Sequence, residues 1–150
     1  MNTRIFEIEC SNCNHTWFVK TDTIFHDHIH KQIKFAFYDG SFFKRKCSNC
    51  GELIDFKCPL VYYFTDKNTL ICLGCEAHNE QAKSYNVSSI GEFVENLKII
   101  DYGCTMEEII ALKKKLINYD KLIFDSFADN CYFFQTRDGI IAIEKIVKVR

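Results

Sequence analysis

Two short stretches constrain this chain more than any others: Cys10-Ser11-Asn12-Cys13 and Cys47-Ser48-Asn49-Cys50. Each is a C-x-x-C turn, and both carry the same Ser-Asn pair between the cysteines. A two-residue spacing lets one tight turn aim both sulfurs at a common point, and two such turns supply the four thiolates of a tetrahedral zinc site. Each turn is followed by a residue that tolerates a left-handed backbone, Asn14 in the first and Gly51 in the second. The expectation is one structural Zn2+ per chain on Cys10, Cys13, Cys47 and Cys50, because closed all-sulfur sites are structural rather than catalytic. Nine cysteines form an odd set that suits reduced thiols and metal binding better than a disulfide framework.

The segments around the turns read as strands. Ile5-Phe6-Glu7-Ile8-Glu9 alternates apolar and acidic residues before Cys10, and Thr16 to Lys20 follows Cys13, so the first turn joins a hairpin. Phe42 to Lys46 leads into the second turn and Glu52 to Phe56 leads out. The 33 residues between Cys13 and Cys47 exceed the roughly 15 to 20 of a simple zinc ribbon. A helix from Asp27 to Gly40 accounts for the excess, with Ile29, Ile33, Ala36 and Phe37 at helical spacing, Asp27 as its cap and Gly40 as its stop.

Val61 to Thr65 and Thr69 to Leu73 form a further hairpin across Asp66-Lys67-Asn68. Gly74 to Ser88 turns polar and reads as a linker or mobile loop. Ser89 with Glu92, and Thr105 with Glu108, are spaced as capping boxes before two amphipathic runs. Leu122 to Phe127, Asn130 to Thr136 and Ile140 to Val149 then return to β structure. The fold class expected is α+β: an N-terminal zinc-ribbon-like β lobe with an inserted helix, over residues 1–75, then two short helices and an antiparallel meander over residues 76–150. The two lobes are expected to pack as one unit.

This order of motifs resembles the CpXC domain, a bacterial and archaeal family named for paired Cys-Pro-x-Cys knuckles. The resemblance rests on Phe6 to Cys10, Asp39-Gly40-Ser41-Phe42-Phe43, Cys47 to Gly51, Pro59 to Tyr63 and the segment Ser89 to Ile100 followed by Tyr102-Gly103. It covers Ile5 to Ile117. Both family prolines are serine here, Ser11 and Ser48, which removes a pre-set turn but no ligand. The resemblance implies a metal-binding domain and carries over no catalytic residue.

Other constellations suggest less. Lys44, Arg45, Lys46, Lys57 and His15 lie near enough in sequence to offset the negative charge of a four-thiolate site. The same basic strand beside Trp17, Phe42 and Phe43 would suit nucleic acid, but a net charge of -1 gives no field that gathers polyanions. Cys72-Leu73-Gly74-Cys75, with His78 near it, is a third C-x-x-C. It is readable as a thiol-redox pair or, with Cys58 or the His26, His28, His30 group, as part of a second metal site; the simpler reading is a strand end in which Cys72 fills space. Cys104 and Cys131 read as core residues. Lys113-Lys114-Lys115 reads as the wet face of a helix.

No phosphate-cradling loop and no hydrolase signature is present. No apolar run reaches the roughly 18 residues of a membrane span, and Met1 to Ile5 lead into a strand rather than a secretory leader. The expectation is a cytoplasmic, non-catalytic binding or adaptor module. It would meet a protein partner or a second copy through its last hairpin, where Ile140, Ile141, Ile143, Ile146 and Val147 place apolar side chains on both faces.

Overall fold

The computed structural model of the chain describes residues 3–77 and 81–145. His78, and the part of the expected strand Ile140 to Val149 that includes Ile146 and Val147, lie outside them. The fold is α+β and divides into two compact units, residues 1–93 and 94–150.

In the first unit, β1 (Thr3–Glu9) and β2 (Thr16–Asp22) form an antiparallel hairpin in which Ile8 faces Trp17 and Phe6 faces Val19. The alternation of β1 sends Glu7 and Glu9 outward, as period-2 geometry requires. A second hairpin, β4 (Lys44–Lys46) with β5 (Leu53–Asp55), pairs Arg45 with Ile54. Each hairpin carries one cysteine turn at its tip.

Between them, β3 (Ile24–His26) lies parallel to β6 (Leu60–Phe64). Strand β6 pairs antiparallel with β7 (Thr69–Leu73), and β7 pairs parallel with β8 (Lys83–Val87). All five residues of β7 are buried, and four of them, Leu70 to Leu73, are apolar in succession, as suits a strand with neighbours on both sides. Phe37, fully buried, lies within ring-contact distance of Phe25, Phe42, Phe43, Tyr62 and Phe93. This aromatic cluster is the core of the unit.

Three expectations are corrected here. The helix from Asp27 to Gly40 contracts to α1, Ile33–Tyr38. Asp27 does not cap it; its carboxylate accepts the Thr65 N–H at 3.0 Å, and His30 Nδ1 accepts the His26 N–H at 3.1 Å. These bonds hold residues 26–30 as turns against the end of β3. Gly40, at φ +80°, does end the helix. The strand from Phe42 shortens to Lys44–Lys46, because Ser41–Phe43 form a 3-10 turn that buries both rings. Gly74 to Ser88 is not a linker throughout: Lys83–Val87 is strand β8, whose register runs from Thr69 opposite Lys83 to Leu73 opposite Val87. As an edge strand it buries only Val87 fully, so its sequence can stay polar.

Helix α2 (Ile90–Asp101) starts in the first unit, where Ser89 Oγ accepts the Glu92 N–H at 3.1 Å. In the second unit, α3 (Met106–Lys115) opens on a complete capping box: Thr105 Oγ1 accepts the Glu108 N–H at 3.1 Å, and Glu108 Oε1 accepts the Thr105 N–H at 2.7 Å. The meander follows as β9 (Ile123–Ala128), β10 (Cys131–Thr136) and β11 (Gly139–Glu144), with β10 central. Asp129 and Asn130, at φ 52° and 62°, make the two-residue turn that suits a right-twisted hairpin. A bulge at Asp125 falls between the pairs Phe133–Ser126 and Phe134–Phe124. No helix among the described residues is long and apolar enough to cross a membrane.

Candidate metal centre

The two hairpin tips meet. Each turn closes with a short backbone bond, Asn14 N–H to Cys10 O at 2.9 Å and Gly51 N–H to Cys47 O at 3.0 Å. Asn14 and Gly51 both sit at positive φ, 62° and 79°, where asparagine and glycine carry the least strain. Across the tips, Cys10 Sγ lies 3.7 Å from Cys50 Sγ and Cys13 Sγ lies 3.6 Å from Cys47 Sγ. All four sulfurs fall within 4.8 Å of one another.

That spacing fits a thiophilic cation. Four sulfurs at the Zn–S bond length of about 2.3 Å span tetrahedral edges of about 3.8 Å, close to the two separations just given. Cys10 and Cys47 are buried and pack with Ile54, Ile8 and Trp17, whereas Cys50 is exposed at the tip. The donor set is all sulfur, which can hold a metal such as zinc and suits soft cations generally.

The electrostatics of the four thiols are uneven. Cys13 is drawn down to about 6, first by the Asn49 side-chain amide and then by the backbone N–H of His15. Cys50 is also lowered, first by the Asn12 amide and then by the Glu52 backbone. Cys10 is pushed up to about 11: a backbone N–H at Cys13 favours its thiolate, but burial and the hydrogen bonds shared with Cys50 and Cys13 outweigh it. Four adjacent thiolates repel one another, so a cation must displace the last protons as it binds.

The basic residues expected to offset this charge are mostly engaged elsewhere. Lys44 pairs with Asp55, and Lys57 donates to the Ser88 carbonyl. Arg45 donates to the Phe42 and Lys44 carbonyls and lies over the Phe42 and Phe56 rings. Lys46 does run beside Gly51. His15 stacks on Trp17, with Nε2 3.2 Å from Ser48 Oγ, so one of the two serines standing at the family's proline positions has its own contact. The donors that reach sulfur are instead Asn12 and Asn49, which sequence reasoning passed over. Their signal was visible in the identical Ser-Asn of the two turns.

The other candidates do not converge. Among the described residues, no second group brings three such ligand atoms together. His26 meets the edge of Tyr63, His28 Nε2 lies 3.2 Å from Asp66 Oδ1, and His30 accepts from the His26 backbone. Cys58 and Cys72 are buried and Cys75 half-buried. Burial pushes Cys58 up to about 11 against the charges of Arg45 and Arg4, and it raises Cys72 and Cys75 too. Cys75 Sγ donates to the Leu60 carbonyl at 3.5 Å. Raised thiols are poor nucleophiles at neutral pH. Cys104 is buried and Cys131 partly so. Phe42 and Phe43 are buried as well, so neither ring is free to stack on a base.

Neither the curated proteins nor the solved structures contain a match to this chain. A sequence model of the CpXC family, described as CpXC protein, matches residues 8–123. The match spans both cysteine turns and more than half of the sequence. The chain is a member of the CpXC family.

Proposed function

We propose that the protein is a cytoplasmic, zinc-stabilised binding module that acts as a non-catalytic adaptor, with one structural Zn2+ on Cys10, Cys13, Cys47 and Cys50. The observation that carries this reading is the closed four-sulfur cluster. Four thiolates fill a tetrahedral coordination sphere and leave no position for water or substrate, the usual mark of a structural site. The paired hairpins then serve as a zinc-ribbon-like clamp on the N-terminal unit.

Contact with a protein partner or a second copy falls to the other unit. There β11 is a sheet edge and Ile140 is 61% exposed. A mainly apolar groove of about 420 Å³ is lined by Leu112, Leu116, Tyr132 and Ile143, with Glu108, Lys115, Glu144 and Lys145 also on its walls. Open strand edges and apolar grooves are common sites of partner binding. Light scattering over a concentration series, with cross-linking in lysate of the native host, tests this. Dimers, or cross-links from a reproducible partner to α3 and β11, support it. A monodisperse monomer that recovers no partner contradicts it.

A further inference from the structure

Each cysteine turn places asparagine at its third position, and the two asparagines make the same pair of contacts. The Asn12 N–H donates to Cys10 Sγ of its own turn at 3.4 Å, and Asn12 Nδ2 crosses to Cys50 Sγ of the other turn at 3.6 Å. The Asn49 N–H donates to Cys47 Sγ at 3.4 Å, and Asn49 Nδ2 crosses to Cys13 Sγ at 3.5 Å. Every one of the four sulfurs therefore accepts one N–H from an asparagine, and each asparagine links one sulfur of each turn.

Turn formation does not account for this choice of residue. The positive-φ positions of the two turns are Asn14 and Gly51, not Asn12 and Asn49, so the backbone at 12 and 49 asks for nothing that alanine or serine would not supply. What asparagine adds is an amide donor long enough to reach across. A divalent cation on four thiolates leaves a formal charge of about -2, and Lys44, Arg45 and Lys57 are committed to other groups. Neutral N–H dipoles aimed at sulfur disperse that charge without the long flexible chain of a lysine.

We infer that Asn12 and Asn49 are positioning residues of the metal centre: their crossed amides tie the two half-sites together and weaken thiolate donation, setting both metal affinity and the character of the metal–sulfur bond. This rests on the reading that the cluster takes a thiophilic cation.

The test uses the full chain loaded with Zn2+ in competition with a chromophoric chelator, and the same chain loaded with Co2+ for its sulfur-to-metal charge-transfer band. Asn12→Ala and Asn49→Ala are each expected to lower affinity about tenfold, and the double variant about a hundredfold, the range for residues that orient metal ligands. Loss of an N–H donor raises the energy of the sulfur lone pairs, so the charge-transfer band shifts to lower energy, a change that a purely structural role would not produce. Should the alanine variants fail to fold, Asn12→Leu and Asn49→Leu keep the shape while removing the donor and adding no charge, and the band is read there. Affinities within threefold of the parent with an unmoved band would overturn the inference alone. A parent chain that takes up neither ion would overturn it together with the reading on which it rests.

Discussion

Cys13 and Cys47 stand 34 positions apart in sequence, yet their sulfurs are 3.6 Å apart. The chain between them runs through β2, β3 and α1 before returning in β4, so closing this contact pins the first hairpin to the second. Structural zinc contributes about 10 to 16 kcal/mol of apparent binding free energy in small peptides, comparable with the roughly 5 to 15 kcal/mol net stability of a whole domain. Replacing Cys13 or Cys47 by Ser is therefore expected to unfold the hairpin tips and the strands they join. Hydrogen exchange checks this: amides of β1, β2, β4 and β5 should lose protection, and retained protection in the serine variants would count against it.

Phe37 supports the same unit from its interior. Its ring lies 4.7 Å from Phe42 and 5.3 Å from Phe93, and it is fully buried. Phe37→Ala leaves a cavity among aromatic neighbours and should destabilise by about 3 to 5 kcal/mol. Denaturant titration gives the value; a loss below about 1 kcal/mol would show that this cluster is not the core.

Glu95 has the corresponding place in the second unit. Both its carboxylate oxygens lie 2.9 Å from Lys113 Nζ, and Oε2 also accepts the Phe124 N–H at 2.6 Å. Glu95 is largely buried and Lys113 about a third exposed, so solvent screens the pair in part. Glu95→Ala would strand an ammonium and a backbone donor, and about 2 to 3 kcal/mol of lost stability is expected. A change within about 0.5 kcal/mol would assign the pair to the screened surface class.

Tyr132 sets a pH dependence with a definite sign. Its hydroxyl donates to Glu108 Oε2 at 2.8 Å, and its ionisation is pushed up to about 12, first by burial and then by the Glu108 carboxylate. The unfolded phenol ionises near 10. Above that pH the unfolded chain binds fewer protons than the folded one, so this contribution is whole below pH 10 and fades as pH rises toward 12. Stability measured from pH 9 to 12 should fall more steeply in the parent than in Tyr132→Phe, and equal slopes would contradict the assignment.

Much of this was readable from local pattern. The cysteine turns, the Thr105 and Glu108 capping box and the meander follow from spacing and turn chemistry, which depend on neighbours in sequence. What escaped depends on neighbours in space. Strand β8 owes its existence to β7 beside it rather than to its own polar residues, and α1 lost its first turns because Asp27 is drawn to Thr65. Lys113 reads as a surface lysine until Glu95 is placed next to it. At the candidate metal centre the pairing of the two cysteine turns was legible, and the four sulfurs do come together, but the basic residues near them in sequence turn mostly to other partners, and the crossed amides of Asn12 and Asn49 appear only once both turns are brought together.

The central claim is that one metal ion holds the two cysteine turns, and metal content tests it most directly. Purified protein, reduced and dialysed, should contain one equivalent of zinc per chain by elemental analysis, and the variant with Cys10, Cys13, Cys47 and Cys50 all changed to Ser should contain none and melt at a lower temperature. A parent chain free of zinc, or a quadruple variant with unchanged melting, would contradict the account.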